Sequence, residues 1–137
     1  EHLDKGHDVV LFDAPSGMGP ELSALLKHTD EVLVVTTPTM SSVMEALKSL
    51  EVAKARGNVV TGVVMNMTHG GKHELSESEV KELLGVPIIA NIEHNRRMHK
   101  AQHLGIPLAA MGFFSRRSQP AKQFQKLSDF VLMNFEK

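Results

Sequence analysis

Asp13 follows the apolar run Val9 to Phe12 and opens the turn-rich stretch Asp13-Ala14-Pro15-Ser16-Gly17. A rigid strand ending in a carboxylate can present it to a magnesium ion that bridges nucleotide phosphates, through a bound water. Gly17 adds a backbone N–H with no side chain in front of it, able to approach a terminal phosphate and sense its loss. The plainer reading is an aspartate that closes a strand and caps a turn, and spacing alone favours it. Polar groups also follow three other apolar runs: Thr37-Pro38, Asn66-Met67 and Asn91 to Asn95.

These groups need elements to hold them. Val9 to Phe12, Val32 to Thr37, Val59 to Met67 and Pro87 to Ile92 read as four strands, each bounded by turn residues. Between and after them the pattern predicts helices. Pro20 starts a short one reaching about His28. Ser42 with Glu45 reads as a capping box for a helix carrying Val43, Ala46, Leu47, Leu50 and Ala53 up to Gly57. Ser76 with Glu79 reads as a second capping box, for a helix that Gly85 ends. Asn95 caps a helix to about Leu104, and a last helix from Pro120 places Phe124, Leu127, Val131 and Phe135 on one stripe. Four strand-to-helix alternations with nearly continuous apolar strands predict an α/β, doubly wound, mostly parallel sheet of about four strands and five helices. Ligands of such sheets sit outside the carboxyl ends of the strands, where the polar groups fall.

Composition narrows the chemistry. The 137 residues are 42% hydrophobic, enough for one core, and residues 1–137 read as one unit. Fifteen Lys+Arg against sixteen Asp+Glu give a charge of -1, so no global field draws the chain to nucleic acid or to an anionic membrane. With no cysteine the chain holds no disulfide, thiolate zinc site, cysteine nucleophile or iron–sulfur ligand of its own. No apolar run approaches the ~18 residues of a spanning helix. A reducing, cytoplasmic setting fits. The start at Glu1 rather than methionine, and its helix-end character (EHLDKG), point to a piece of a longer protein.

Several motif lookalikes fail on detail. Gly17-Met18-Gly19-Pro20-Glu21-Leu22 has leucine at the third glycine of the dinucleotide fingerprint, and Pro20 removes a donor. Ala14 to Met18 misses both outer glycines of a nucleophile elbow, leaving Ser16 a loop hydroxyl. Among eight histidines, His99 and His103 stand one helical turn apart with His94 nearby, yet no carboxylate at matching spacing completes a metal set. They read as solvated neighbours of Met98 and Ala101. Arg96, Arg97, Lys100, Arg116, Arg117, Lys122 and Lys126 read as solvated helix faces, since acidic residues dominate elsewhere and neither tryptophan nor tyrosine is present to stack on bases. The final helix reads as docking on the sheet rather than as a membrane anchor, because its polar face mixes signs.

Taken in order, VVLFDAPSGMG, EVLVVTTPTMSSVMEALKSLEVAKARG, VVTGVVMNM and LSESEVKELLGVPIIANIEHNRRMHKAQHLGIPLAA resemble the second half of the MinD/ParA group of P-loop ATPases, nearest the MinD-like members. The resemblance covers essentially the whole chain. It implies half of a P-loop NTPase domain of the SIMIBI type, serving as an ATP- and Mg2+-dependent dimerising switch for spatial regulation, such as septum-site or cell-division positioning. It places the magnesium-associated Walker B aspartate on Asp13, the switch-loop glycine on Gly17 and the adenine-contacting asparagine on Asn66, with Thr37 and Pro38 shaping the wall. A homodimer and a regulatory protein partner are implied with it, as is cycling at the inner membrane face or on DNA, for which this chain itself carries no support. Two departures touch the base site: Glu93-His94-Asn95 replaces the group's proline and acidic residue, and Met67 stands where a basic residue is common.

The phosphate cradle is missing from the sequence. The nearest stretch to G-x-x-x-x-G-K-[ST] is Asn66 to His73 (NMTHGGKH), which lacks the first glycine and the hydroxyl after Lys72, so Thr68 to Lys72 reads as a connection. The resemblance places a Walker A loop upstream, which would make this chain catalytically incompetent alone. It also places a strand between Val9 to Phe12 and Val32 to Val35. The expectation is that the gap closes by re-pairing of those two strands, by a swapped dimer or by a second chain. Two alternatives remain. One is an iron–sulfur carrier of the Mrp type, which shares TTP and NM at Thr36-Thr37-Pro38 and Asn66-Met67 but uses a cysteine pair in this half. The other is a non-enzymatic scaffold with a decayed nucleotide site, favoured by the Glu93 to Asn95 loop.

Overall fold

The computed structural model describes residues 9–15, 19–112, 115 and 117–135. Among them three strands form one parallel sheet in the order β1 (Glu31–Thr36), β2 (Val59–Thr68) and β3 (Ile88–Glu93). The helices are α1 (Pro20–Leu25), α2 (Met40–Ala55), α3 (Glu77–Leu84), α4 (Arg96–Leu104) and α5 (Gln119–Phe135), with a 3-10 turn at Leu108–Ala110. Parallel strands need long crossovers, and α2 and α3 supply them.

Helices cover both faces of the sheet, but unequally. On one face Val34, Val63 and Met65 pack with Val43, Ala46 and Leu50 of α2 and with Val80 and Leu84 of α3. On the other, Leu127 of α5 packs against Val64, Ala90 and Ile92, which belong to β2 and β3 only. The α5 layer stops short of β1, where Val35 is 62% exposed. The final helix therefore docks on the sheet, although Phe124 is exposed rather than part of a continuous buried stripe.

The two edges of the sheet are finished differently. Gln119 and Gln123, one turn apart on α5, reach the outer edge of β3. The Gln123 Oε1 accepts from the Asn91 N–H at 3.0 Å, the Gln119 Oε1 accepts from the Glu93 N–H at 3.0 Å, and the Gln119 Nε2 donates to the Asn91 carbonyl at 2.6 Å. Two side chains thus do the work of a neighbouring strand. Among the described residues no strand lies on the outer side of β1.

Two local expectations change. Val9 to Phe12 is not a strand: residues 9–15 have no regular secondary structure, and Leu11 is 78% exposed. Four expected strands become three in the described sheet, and the expected re-pairing with Val32 to Val35 does not occur within the chain. An apolar run becomes a strand only where another strand takes up its hydrogen bonds. The start of α2 also shifts. Its N-cap is Thr39, whose Oγ1 accepts from the Ser42 N–H at 3.3 Å, while the Ser42 Oγ accepts from the hydroxyls of Thr37 and Thr39. The Ser76–Glu79 capping box forms as expected, and Gly85 ends α3 in the left-handed region at φ 64°.

Candidate functional site

The carboxyl ends of β2 and β3 build the site. At the end of β2 the ladder slips by one residue: Asn66 pairs with Ile92 and Thr68 with Glu93, so Met67 is bulged out. Met67 has φ 58°, the one positive φ outside glycine among the described residues. A side chain in that region costs about 1–2 kcal/mol, and such strain gathers where a bulge re-aims residues toward a site. The Met67 N–H donates to the Asn66 Oδ1 at 2.9 Å, which fixes how the amide is turned.

The loop after β3 comes down beside the bulge. The His94 N–H donates to the Thr68 carbonyl at 2.9 Å, and Asn95 caps α4 by accepting from the Arg97 N–H at 2.9 Å. The buried Thr68 hydroxyl donates to the Asn91 Oδ1 at 2.8 Å, and the Asn91 Nδ2 donates to the Glu77 Oε1 at 2.6 Å. This Thr68–Asn91–Glu77 chain ties the two strand ends to the start of α3. Nothing in the local pattern of those three residues announces it, because the partners are 14 and 23 residues apart.

Between these loops and α5 lies a cavity of about 570 Å³. Asn66 and Met67 form one wall, His94 and His99 another, and Leu108 and Phe124 supply apolar surface. Its size, and its lining of apolar groups with a few polar ones, suit a small organic ligand. A second cavity of about 540 Å³ opens on the other side of His94, toward Glu74. Donors converge on that carboxylate: the N–H groups of His69 at 2.9 and 3.1 Å and of Gly70 at 2.8 Å. The backbone bond from His69, the largest cause, holds the Glu74 carboxyl below its ordinary 4.5, joined by bonds from Gly70, the His69 ring and Gly71 and opposed by desolvation.

Of the residues singled out from sequence, Asn66 lines the 570 Å³ cavity. Thr37 and Pro38 lie apart from its wall. The Thr37 hydroxyl donates to the Ser42 Oγ at 2.8 Å, and the buried Pro38 carbonyl accepts from the Leu75 N–H at 2.9 Å, so both organise the start of α2 and the approach to α3. Asp13 is exposed on the segment preceding α1 and is also outside the cavity wall. Gly17 lies outside the described residues. Among the described residues no group of three His, Cys, Asp or Glu is placed to hold a metal ion, and no helix is long and apolar enough to cross a membrane.

Comparison with known proteins adds the following. A family model described as ParA, NUBPL iron-transfer P-loop NTPase, matches residues 4–132. An uncharacterised ATP-binding protein of Methanocaldococcus jannaschii is 31% identical over 114 residues, covering 81% of this chain and 43% of that protein. A putative septum site-determining protein MinD of Emiliania huxleyi is 25% identical over 112 residues, 79% of this chain and 41% of that protein. The structure of the septum site-determining protein MinD of Pyrococcus horikoshii, complexed with Mg-ADP, superposes with a TM-score of 0.83 at 25% identity, covering 94% of this chain and 52% of that one. The chain spans less than half the length of the two curated relatives.

Proposed function

The chain belongs to the ParA family of P-loop NTPases, and from that premise we propose that it is the Walker B half of a MinD-like, ATP-dependent dimerising switch for spatial regulation such as cell-division positioning. The observation that carries the reading is the cavity at the carboxyl ends of β2 and β3 with Asn66 in its wall, the place where open parallel sheets take their ligands. The residues present fit one end of a nucleotide. Leu108 and Phe124 offer apolar surface to a base, and the Asn66 amide carries both a donor and an acceptor to read its edge. The phosphate end has no lysine-bearing glycine loop in this sequence. That loop would come with the upstream half, whose strand would lie along the open edge of β1 and whose helices would cover Val35. Asp13 and Gly17, carried by the segment before α1, would then face the phosphates, with Asp13 orienting a magnesium-bound water. Mg-ATP, when bound, supplies the phosphoryl group whose hydrolysis resets such a switch. Pairing of two copies and docking of a regulatory protein would follow from the same reading.

An iron–sulfur cluster does not fit the chain, which has no cysteine to ligate one, and no step is assigned to it. The test is Mg-ATP affinity with the upstream half supplied, for the parent chain, Asp13→Ala and Asn66→Ala. Asp13→Ala should weaken Mg-ATP and spare magnesium-free nucleotide, and Asn66→Ala should weaken both. Affinities equal to the parent in both variants would overturn these roles.

A further inference from the structure

His94 and His99 turn their Nε2 atoms toward each other at 3.1 Å, with ring centroids 5.2 Å apart and planes tilted by 54°. The main chain that carries each of these exposed rings is held in place. His94 is tethered by its N–H to the Thr68 carbonyl, and His99 rides on α4, whose start is locked by Asn95. A third ring backs the pair: His69 stacks on His94 with centroids 4.5 Å apart, and its own Nδ1 lies 3.2 Å from the Glu74 Oε1. His99 and His103 stand one turn apart on α4, yet it is His94, from the preceding loop, whose ring meets that of His99. The turn into α4 brings His94 back over His99.

Two imidazole nitrogens at this distance cannot both point bare lone pairs at each other: either one ring donates its N–H to the other, or both lone pairs meet on a metal ion. An ion bound to two histidine nitrogens at about 2.0–2.1 Å, with an angle between a right angle and the tetrahedral value, holds those nitrogens about 2.9–3.4 Å apart. The observed 3.1 Å falls inside that window. We propose that His94 and His99 form a two-nitrogen binding site for a divalent transition-metal ion of the imidazole-preferring class, Zn2+, Ni2+ or Cu2+. Because no third His, Cys, Asp or Glu converges among the described residues, the other coordination positions belong to water. Both rings line the cavity beside Asn66, so the ion would sit at its mouth with open positions facing in, as in an exchangeable rather than a closed structural site. This site stands on the geometry of two side chains and needs no nucleotide.

The probe is Zn2+ alone, titrated calorimetrically at pH 7.5 into the 137-residue chain after chelator treatment and desalting. One ion per chain is expected. His94→Gln and His99→Gln should each weaken binding by about tenfold or more, the scale on which even supporting residues tune metal affinity. His103→Gln should bind as the parent does. Circular dichroism of each variant separates a lost ligand from a lost fold, and His99→Gln, on an exposed helix face, decides the matter if His94→Gln fails to fold. No Zn2+ binding by the parent, parent-like binding by both His94→Gln and His99→Gln, or an equal loss in His103→Gln would overturn the site.

Discussion

Removing the glutamine pair that finishes the edge of β3 should cost far more than an exposed polar substitution normally does. Gln119 and Gln123 together make three hydrogen bonds to the backbone of Asn91 and Glu93. At about 1 kcal/mol net for each bond the ceiling is about 3 kcal/mol. Glu93 is exposed and Asn91 half-buried, so water can replace part of what is lost. The double variant Gln119→Met, Gln123→Met keeps side-chain length and apolar contact but removes the amides. Its urea unfolding, followed by circular dichroism, should show a loss of about 1.5–3 kcal/mol, a large share of the ~5–15 kcal/mol that holds a domain together. The bared edge should also promote concentration-dependent association in size-exclusion chromatography, since unpaired strand edges recruit one another. A loss below about 0.5 kcal/mol, within the ordinary range for surface changes, with no change in elution, would refute the idea that these side chains replace a strand.

Three further outcomes are expected. A Cβ at Gly62 would overlap the Ile89 Cγ1 and come within 2.9 Å of the Pro87 carbonyl oxygen, so Gly62→Ala should lower stability by about 1–3 kcal/mol in the same urea assay. Thr39→Ala should cost α2 about 1 kcal/mol as the loss of an N-cap, and Ser42→Ala should cost less; the reverse order in thermal melts would reinstate Ser42 as the cap. Glu74 and Glu79 both have carboxyls held below the ordinary 4.5, Glu74 chiefly by the His69 N–H and Glu79 chiefly by the Ser76 hydroxyl. A depressed folded value means the stabilisation is complete above pH 4.5 and fades as the pH falls through the folded value. Melting temperatures measured from pH 6 down to pH 3 should therefore drop less steeply in Glu74→Gln and Glu79→Gln than in the parent.

What could be read from sequence follows the range of the interactions involved. The limits of α3 were legible because Ser76, Glu79 and Gly85 specify them within a few residues of chain. The limits of α4, between Asn95 and Gly105, were legible for the same reason. Burial of Val43, Ala46, Leu50 and Ala53 followed from a 3.6-residue period. The start of α2 is not legible from sequence, since Thr39, Ser41 and Ser42 all offer a hydroxyl within four residues, and only the β1–α2 turn selects among them. Family resemblance and its place at a strand end make Asn66 an expected site residue, whereas its seat beside a bulged Met67 depends on how β2 registers against β3.

By itself, then, the sequence determined an α/β order of elements, the caps of α3 and α4, one apolar face per helix and polar groups gathered at strand ends. The tertiary structure alone decided that Val9 to Phe12 stays out of the sheet, that glutamines close one edge, that Thr68, Asn91 and Glu77 join into one chain, and that His94 faces His99. The division is physical. Caps and periods are satisfied by neighbours along the chain, while an edge hydrogen bond or a pair of facing rings exists only once strands distant in sequence have settled their register.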